Sequence, residues 1–206
     1  DHPPLTAWLI ALATSLRDGQ FSVRLSGLLS WCVMAAYATL YARDAAGPAL
    51  ALPTTLLASA LPFFFLVGWL MTPDAPLAAA WAAALYYLQR ALIDGRSRAW
   101  IGAGAAIGVG MLSKYSMILV PAAAFAFVLL DARSRRVLVS PWAWAGVAVA
   151  LAVFAPVIVW NVQHDWASFT FQGARRLATS DRRFEFPQFL LYTLIVVTPW
   201  AVAGLA

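Results

Sequence analysis

Long stretches without Asp, Glu, Lys or Arg alternate with short charged segments along the 206 residues of the chain. The uncharged stretches cover residues 25–42, 45–73, 75–89, 99–113, 115–130, 137–164 and 186–206. A helix needs about 20 apolar residues to cross a bilayer core, and tilt or local thinning accommodates shorter ones. Because the bilayer core holds no water to bond the backbone, each crossing must be helical. The pattern predicts an all-α, polytopic transmembrane bundle of about seven spans.

The segment before the first stretch has a different pattern. Its apolar side chains recur at helical spacing, at Leu5, Trp8, Leu9, Leu12 and Leu16. Pro3 and Pro4 are typical of a helix start. At about 14 residues the segment is short for a crossing. We therefore predict an interfacial amphipathic helix over residues 3–16, with a short spanning helix as the alternative.

The composition supports a membrane protein and excludes other classes. Hydrophobic residues make up 63% of the chain and charged residues 11%, whereas an ordinary soluble domain carries about 25% charged residues. The net charge of +5 comes from basic residues scattered between apolar stretches, so we expect no nucleic-acid partner. Cys32 is the only cysteine, which excludes an intrachain disulfide.

Counting one crossing per stretch assigns the polar segments to two faces. One face receives the acidic and imidazole side chains and the only lysine, namely Asp1, His2, Asp74, Lys114, His164 and Asp165. The other face receives the short segments 43–47, 94–98 and 131–136, which contain arginine. Lys and Arg are equally numerous on both faces, but the first face carries four of them in one long loop, 161–187. We place the short arginine segments in the cytoplasm.

Asp74 is the first candidate for chemistry. It stands alone between two long uncharged stretches, within the sequence LMTPDAP. An acid at the edge of the membrane costs free energy unless it has a partner. A catalytic role is one interpretation, and a helix N-cap is the other, because Asp near Pro suits a helix start.

Lys114 is the second candidate. It is the only lysine, and it divides residues 99–130 into two halves that are each short for a span. A turn near the outer surface would bring its ammonium to a lipid phosphate. The alternative is a lysine that extends to the headgroups without a specific partner.

Further candidates lie at the two ends of the chain. Asp1 and His164 carry ligand groups suited to a divalent metal ion, which is the one cofactor that we expect. His2, Arg175 and Arg176 are candidates for binding a phosphate. Gln163 and Asp165 flank His164 in the loop that follows a span. The alternatives are a helix-start turn for Asp1 and His2, an interfacial aromatic belt for residues 161–169, and solvated loop charge for the arginines.

Four segments resemble one known family when they are taken together. DHPPL, LMTPDAPL, LSKY and WNVQHDWASFTFQ occur in this order, and they resemble bacterial dolichyl-phosphate-mannose–protein mannosyltransferases. That group is glycosyltransferase family 39 and its relatives, which include the lipid A aminoarabinose transferases and have the GT-C fold. The resemblance covers nearly the whole chain. It implies transfer of a sugar from a polyprenyl-phosphate donor at the periplasmic face of the bacterial inner membrane.

The resemblance also assigns roles. Asp74 matches the family's second outer acidic position and is the expected catalytic residue, and Lys114 matches a basic position near the donor phosphate. No nucleotide cofactor is expected, in agreement with the absence of a D-x-D motif. The acceptor stays open among a protein, lipid A, another glycan and a lipid. The family's Asp-Glu pair in the first outer loop is expected upstream of DHPP.

We therefore expect residues 1–206 to be part of a single transmembrane glycosyltransferase domain. Its first span, first loop and C-terminal remainder are expected to lie outside this sequence, and the fragment alone is expected to be inactive. Two rival classes are a transporter or flippase of lipid-linked sugars and a non-catalytic membrane scaffold.

Overall fold

The computed structural model describes residues 2–178 and 186–197, without the side chains of residues 62, 175–178 and 193–197. In these ranges the chain forms α-helices joined by short 3-10 segments, with no strand, which confirms the all-α class. The helices are α1 (Leu5–Leu16), α2 (Gln20–Ala46), α3 (Ala51–Ala60), α4 (Pro62–Trp69), α5 (Asp74–Leu92), α6 (Ala99–Ser113), α7 (Leu119–Leu130), α8 (Pro141–Gln163), α9 (Ala167–Ala178) and α10 (Phe186–Val197). The 3-10 segments are Pro48–Leu50, Tyr115–Ile118 and Ser134–Val139.

Two helices in the described ranges, α2 and α8, are long and apolar enough to cross a membrane alone. The pair formed by residues 48–60 and α4 makes a third crossing if it counts as one broken span. Helices α1 and α6 and the segment 115–130 are apolar but shorter. The chain is therefore a helical membrane protein, and the number of about seven spans stays a prediction.

The sequence predicts one crossing over the uncharged stretch 45–73, whereas the structure divides this stretch into separate helices. Helix α3 ends at Ala60, Leu61 is extended with φ −66° and ψ 125°, and Pro62 opens α4. Proline disfavours the helical conformation in the residue before it and suits the first position of a helix. The Leu61–Pro62 step thus divides this stretch into two short helices.

Contacts between the helices set their relative directions. Helices α5 and α6 form an antiparallel pair, because Pro73 at the start of α5 accepts a hydrogen bond from Ser113 at the end of α6. Helices α6 and α8 run parallel, since Gly104 faces Gly146 near their starts, and Leu112, further along α6, packs with Phe154, further along α8. This alternation agrees with the path that the crossing count predicts.

Helix α1 agrees with the predicted helix over residues 3–16. Its 12 residues extend over about 18 Å at 1.5 Å per residue, which is less than the roughly 30 Å of a bilayer core. Leu12 and Leu16 are exposed, while Leu5 packs against the α6–α8 contact. Length thus favours the interfacial interpretation over the spanning one, and the depth of α1 in a membrane stays a prediction.

The α6–α8 contact brings two backbones together without intervening side chains. Gly104 and Gly108 form a GxxxG spacing, which is typical of close helix packing. A Cβ atom added to Gly104 would lie 2.0 Å from the carbonyl oxygen of Gly146, and one added to Gly146 would lie 2.5 Å from the oxygen of Trp100. Both obstacles are backbone, so neither can rotate away.

Replacing Gly104 with Ala should separate the two helices and destabilise the protein. Overpacking of this kind costs about 1–3 kcal/mol, which exceeds the helix-propensity gain of about 0.5–1 kcal/mol for Gly→Ala. Gly173→Ala in α9 is the matched control, because nothing lies within 4 Å of its added Cβ. The measurement is the unfolding midpoint of the purified protein in detergent. Equal midpoints for the two variants would contradict the close-packing interpretation.

Candidate active site

Asp74 and Lys114 form an ion pair at one end of the bundle. Asp74 is the first residue of α5, and Lys114 follows the last residue of α6. The Lys114 Nζ donates a hydrogen bond to Asp74 Oδ1 at 2.7 Å, and each side chain is 36% exposed. The structure thus brings together the two residues that the sequence places on one face. The partial exposure leaves both groups accessible to a ligand.

The ion pair helps to choose between the interpretations that the sequence leaves open for Asp74 and for Lys114. The N-cap of α5 is Pro73, with no side-chain cap bond, and Asp74 is the first helical residue. Its carboxylate bonds Lys114 and also suits the positive end of the helix dipole. Lys114 in turn has a specific protein partner and does not merely extend to the headgroups. An ammonium has three donors, so two of them stay available beside the bond to Asp74.

A second hydrogen bond joins the residues that directly precede Lys114 and Asp74 in the sequence. Ser113 is fully buried, and its Oγ donates to the carbonyl oxygen of Pro73 at 2.6 Å. Sequence reasoning did not single out Ser113. Its only signal in the sequence is that it precedes the lone lysine. Serine is common in membrane helices, so this signal does not mark it as functional.

The chain turns sharply after α8. Asp165 and Trp166 both adopt the left-handed conformation, with φ of 50° and 57°. Positive φ is uncommon outside glycine, and for a bulky residue such as tryptophan it is a genuine outlier. Asn161 supports the corner: it is fully buried, and its Oδ1 accepts the backbone N–H of Ser168 at 3.2 Å while its Nδ2 donates to the oxygen of Val157 at 2.9 Å. The amide therefore fixes the start of α9 to the end of α8.

His164 lies in this corner with one ring nitrogen occupied. Its Nδ1 bonds the carbonyl oxygen of Trp160 at 2.7 Å, and the imidazole stacks on the Trp160 indole at 4.2 Å with 10° between the planes. Because a carbonyl only accepts, Nδ1 is the donor in this bond, which leaves Nε2 unused by it. The neighbouring Gln163 and Asp165 are exposed.

Aromatic contacts join the corner to the ion pair. Tyr115 follows Lys114 and stacks on Phe169 of α9, with 5.0 Å between ring centroids and 23° between planes. The same tyrosine meets the edge of Phe154 in α8 at 6.4 Å. Leu5 at the start of α1 packs against this cluster. The corner, the start of α1 and the ion pair therefore occupy the same end of the bundle.

The remaining predicted site residues are only partly described. His2 is exposed and lies three residues before α1. Asp1 and the side chains of Arg175 and Arg176 lie outside the described residues, so their predicted contacts stay predictions. Among residues 2–178 and 186–197, no group of three or more His, Cys, Asp or Glu side chains is placed to hold a metal ion.

An apolar groove begins at Asp74. It has a volume of about 750 Å³ and lies between α2, α3, α4 and α5. Leu77, Trp81 and Leu85 line it along α5, and Met34 lines it from α2. The carboxylate therefore stands where a polar end of the bundle meets an elongated hydrophobic surface.

Comparisons with known proteins bear on the family and the fold of the chain. The family model described as dolichyl-phosphate-mannose-protein mannosyltransferase matches residues 1–160. The fold is similar to the crystal structure of ArnT from Cupriavidus metallidurans in the apo state, with a TM-score of 0.76 and 21% sequence identity over 97% of this chain. At that identity the likeness shows the fold alone, and the chain spans 38% of the length of that protein. No curated protein matches the sequence.

Proposed function

Because the chain belongs to the dolichyl-phosphate-mannose-protein mannosyltransferase family, we propose that it forms part of a membrane glycosyltransferase. The enzyme moves a sugar from a polyprenyl-phosphate donor to an acceptor at the periplasmic face of the bacterial inner membrane. The observation that carries this proposal is the partly exposed Asp74–Lys114 pair, 2.7 Å apart at one end of a helical bundle. The acceptor stays open among a protein, lipid A, another glycan and a lipid.

The transfer needs one bond to form and one to break. The acceptor hydroxyl attacks the anomeric carbon, the bond from that carbon to the phosphate oxygen breaks, and the phosphate leaves on its lipid. Asp74 orients the acceptor hydroxyl or takes its proton. Lys114 stabilises the negative charge that grows on the departing phosphate. The apolar groove beside Asp74 supports a donor with a hydrocarbon chain.

We propose that five further residues contribute to the site. His2, Arg175 and Arg176 add cationic or polar groups for the phosphate, and Gln163 and Asp165 border the acceptor side. His2 precedes α1, and Gln163 and Asp165 lie at the α8–α9 corner. Arg175 and Arg176 lie toward the end of α9. Their contribution is secondary to that of the ion pair.

His164 has the arrangement of a metal-binding histidine, because its Nδ1–H bonds a backbone carbonyl and its Nε2 is left for a ligand. We propose that Asp1 and His164 hold a divalent metal ion, which would supply Lewis-acid stabilisation of the phosphate. The described residues provide no complete ligand set, so no step above passes through the metal.

Neutralising either member of the ion pair should lower transfer far more than it lowers the amount of folded protein. We expect Asp74→Asn to reduce turnover at least about 100-fold, the lower limit for loss of a general acid or base. For Lys114→Ala we expect a loss of about 10- to 100-fold in kcat/KM for the lipid donor, as for a lost charged hydrogen bond. Lys114→Arg should retain part of the activity because it retains the charge.

The measurement is mass spectrometry of products formed by the full-length protein with polyprenyl-phosphate sugars. Asp94→Asn is the control, because this exposed acid lies after the opposite end of α5. A near-wild-type Lys114→Ala variant would end the phosphate role. Equal losses of turnover and folded yield in Asp74→Asn would leave Asp74 with a structural role at the start of α5.

The proposed orientation predicts which positions an impermeant reagent reaches in intact cells. After Cys32→Ala, a cysteine at Ala167 should react from outside and a cysteine at Ser97 should not. Both positions are exposed: Ala167 is the first residue of α9, and Ser97 lies between α5 and α6 in a segment of the arginine-containing face. The measurement is maleimide labelling before and after permeabilisation. The reverse pattern would move the ion pair to the cytoplasmic face.

The metal proposal predicts that His164→Ala lowers the metal content of the purified full-length protein. Elemental analysis gives the metal-to-protein ratio without reference to transfer activity. Asp94→Ala provides a control in which an exposed acid away from the α8–α9 corner is removed. Unchanged metal content in His164→Ala would remove this residue as a ligand.

A further inference from the structure

Ser113 and Lys114 are neighbours in sequence, as are Pro73 and Asp74, and each residue of the first pair bonds one of the second. The Ser113 hydroxyl donates to the Pro73 carbonyl at 2.6 Å, and the Lys114 ammonium donates to the Asp74 carboxylate at 2.7 Å. The first bond belongs to a fully buried side chain, and the second to side chains that are 36% exposed. A buried bond to backbone therefore lies directly behind an accessible one between side chains.

We propose that Ser113 is a positioning residue for the Asp74–Lys114 pair. Its hydroxyl fixes the distance between the end of α6 and the start of α5, and so holds the lysine and the carboxylate at their working separation. The proposal deepens the proposed function and rests on it for any effect on transfer. It concerns a residue that touches neither the acceptor nor the donor.

The direction of the Ser113 bond resembles that of Ser26, whose hydroxyl bonds the carbonyl of Leu9 in α1, and differs from that of Ser30. In α2, the Ser30 hydroxyl donates to the carbonyl of Ser26, one turn earlier in the same helix. Such a bond satisfies the hydroxyl and ties nothing together. Ser113 bonds to a residue 40 positions away. A serine in a helix can instead bond a carbonyl one turn earlier in the same helix. This geometry links two elements and is not local.

The acceptor of the bond is also suited to a positioning role. Pro73 is the N-cap of α5, with φ of −57° fixed by its ring. Within the described part of the chain, its carbonyl also accepts a bond from the backbone N–H of Leu77, at a long 3.4 Å. On the other side, Lys114 is extended, with φ −156° and ψ 136°, and its backbone N–H still bonds the Gly110 carbonyl at 2.9 Å. The bond from Ser113 therefore acts at the last helical residue of α6.

The ion pair needs such support because it is partly solvated and its lysine is long. A partly exposed pair gains little attraction once the cost of ordering a flexible side chain is included. Fixing the backbones on both sides lowers that ordering cost. Since a misplacement of about 1 Å can cost about 100-fold in rate, a shift between α5 and α6 would be visible in turnover.

The first test measures transfer by the full-length protein with a polyprenyl-phosphate sugar. We expect Ser113→Ala and Ser113→Cys to lose about 10- to 100-fold in kcat/KM with near-normal folded yield. Cysteine keeps the volume of the side chain but is a weak donor, so equal losses assign the effect to the hydrogen bond. Ser30→Ala is the matched control for a buried serine hydroxyl and should retain wild-type kcat/KM.

A double-mutant cycle separates positioning from general support of the fold. If Ser113 acts through the ion pair, Ser113→Ala should cause little further loss once Lys114→Ala is present. If Ser113 acts elsewhere, the two losses should multiply, and this outcome would overturn the proposal. Wild-type kcat/KM in Ser113→Ala would overturn it equally.

A stability measurement tests the geometry without reference to transfer. The interaction between Asp74 and Lys114 is obtained from the unfolding midpoints of Asp74→Asn, Lys114→Met and the double variant. We expect this coupling to fall by at least half when Ser113→Ala is added, and to persist when Ser30→Ala is added. An unchanged coupling would refute the positioning role. A protein that shows the fall in coupling but transfers no sugar would refute the proposed function and leave the geometric role of Ser113 standing.

Discussion

The close approach of α6 and α8 organises the end of the bundle that carries the candidate site. Helix α6 packs against α5 on one side and against α8 on the other, and the second contact depends on glycine, because a Cβ on Gly104 would collide with the backbone at Gly146. Since α6 and α8 run parallel and Leu112 packs with Phe154, α6 ends beside α8 before α8 itself ends at Gln163. Lys114 lies beside the start of α5, where its partner Asp74 lies, and the next residue, Tyr115, contacts Phe154 of α8 and Phe169 of α9.

Both the cost of a charge inside the bilayer and the dipole of each helix favour charged groups at the helix ends. A charge in the middle of a span costs several kcal/mol, about 2.5–3.5 on insertion scales, so ionisable side chains collect where helices terminate. The two ends also differ in sign: Asp74 lies at the N-terminus of α5 and Lys114 just past the C-terminus of α6. Each charge thus opposes the partial charge of its own helix end. The helix dipole therefore favours each of the two charges at its position independently of the ion pair.

The pattern of charged and uncharged residues predicts the helical class and two of the site residues, because the bilayer excludes charged side chains from the spans. Uncharged stretches indicate the helical class, and the isolation of Asp74 and Lys114 between such stretches marks both residues as candidates for chemistry. The break at Leu61–Pro62 does not follow from a count of charges, because it arises from the effect of proline on the preceding residue. Ser113 and Asn161 escape prediction for another reason. Small polar residues occur throughout these helices, and only the packing of α5, α6 and α8 decides that one hydroxyl bonds across helices while that of Ser30 bonds within its own.

Under the proposed function, the ion pair has to serve two partners in turn. Asp74 lowers the net charge that Lys114 presents to an approaching phosphate, yet without it a flexible four-carbon stem would sample many positions. Partial exposure reconciles these requirements, because the attraction in a partly solvated pair is modest. A phosphate with charged oxygens can then share the ammonium's remaining donors. The strength of the site therefore lies less in the ion pair itself than in the buried contacts behind it, which hold both charges at one position before the donor arrives.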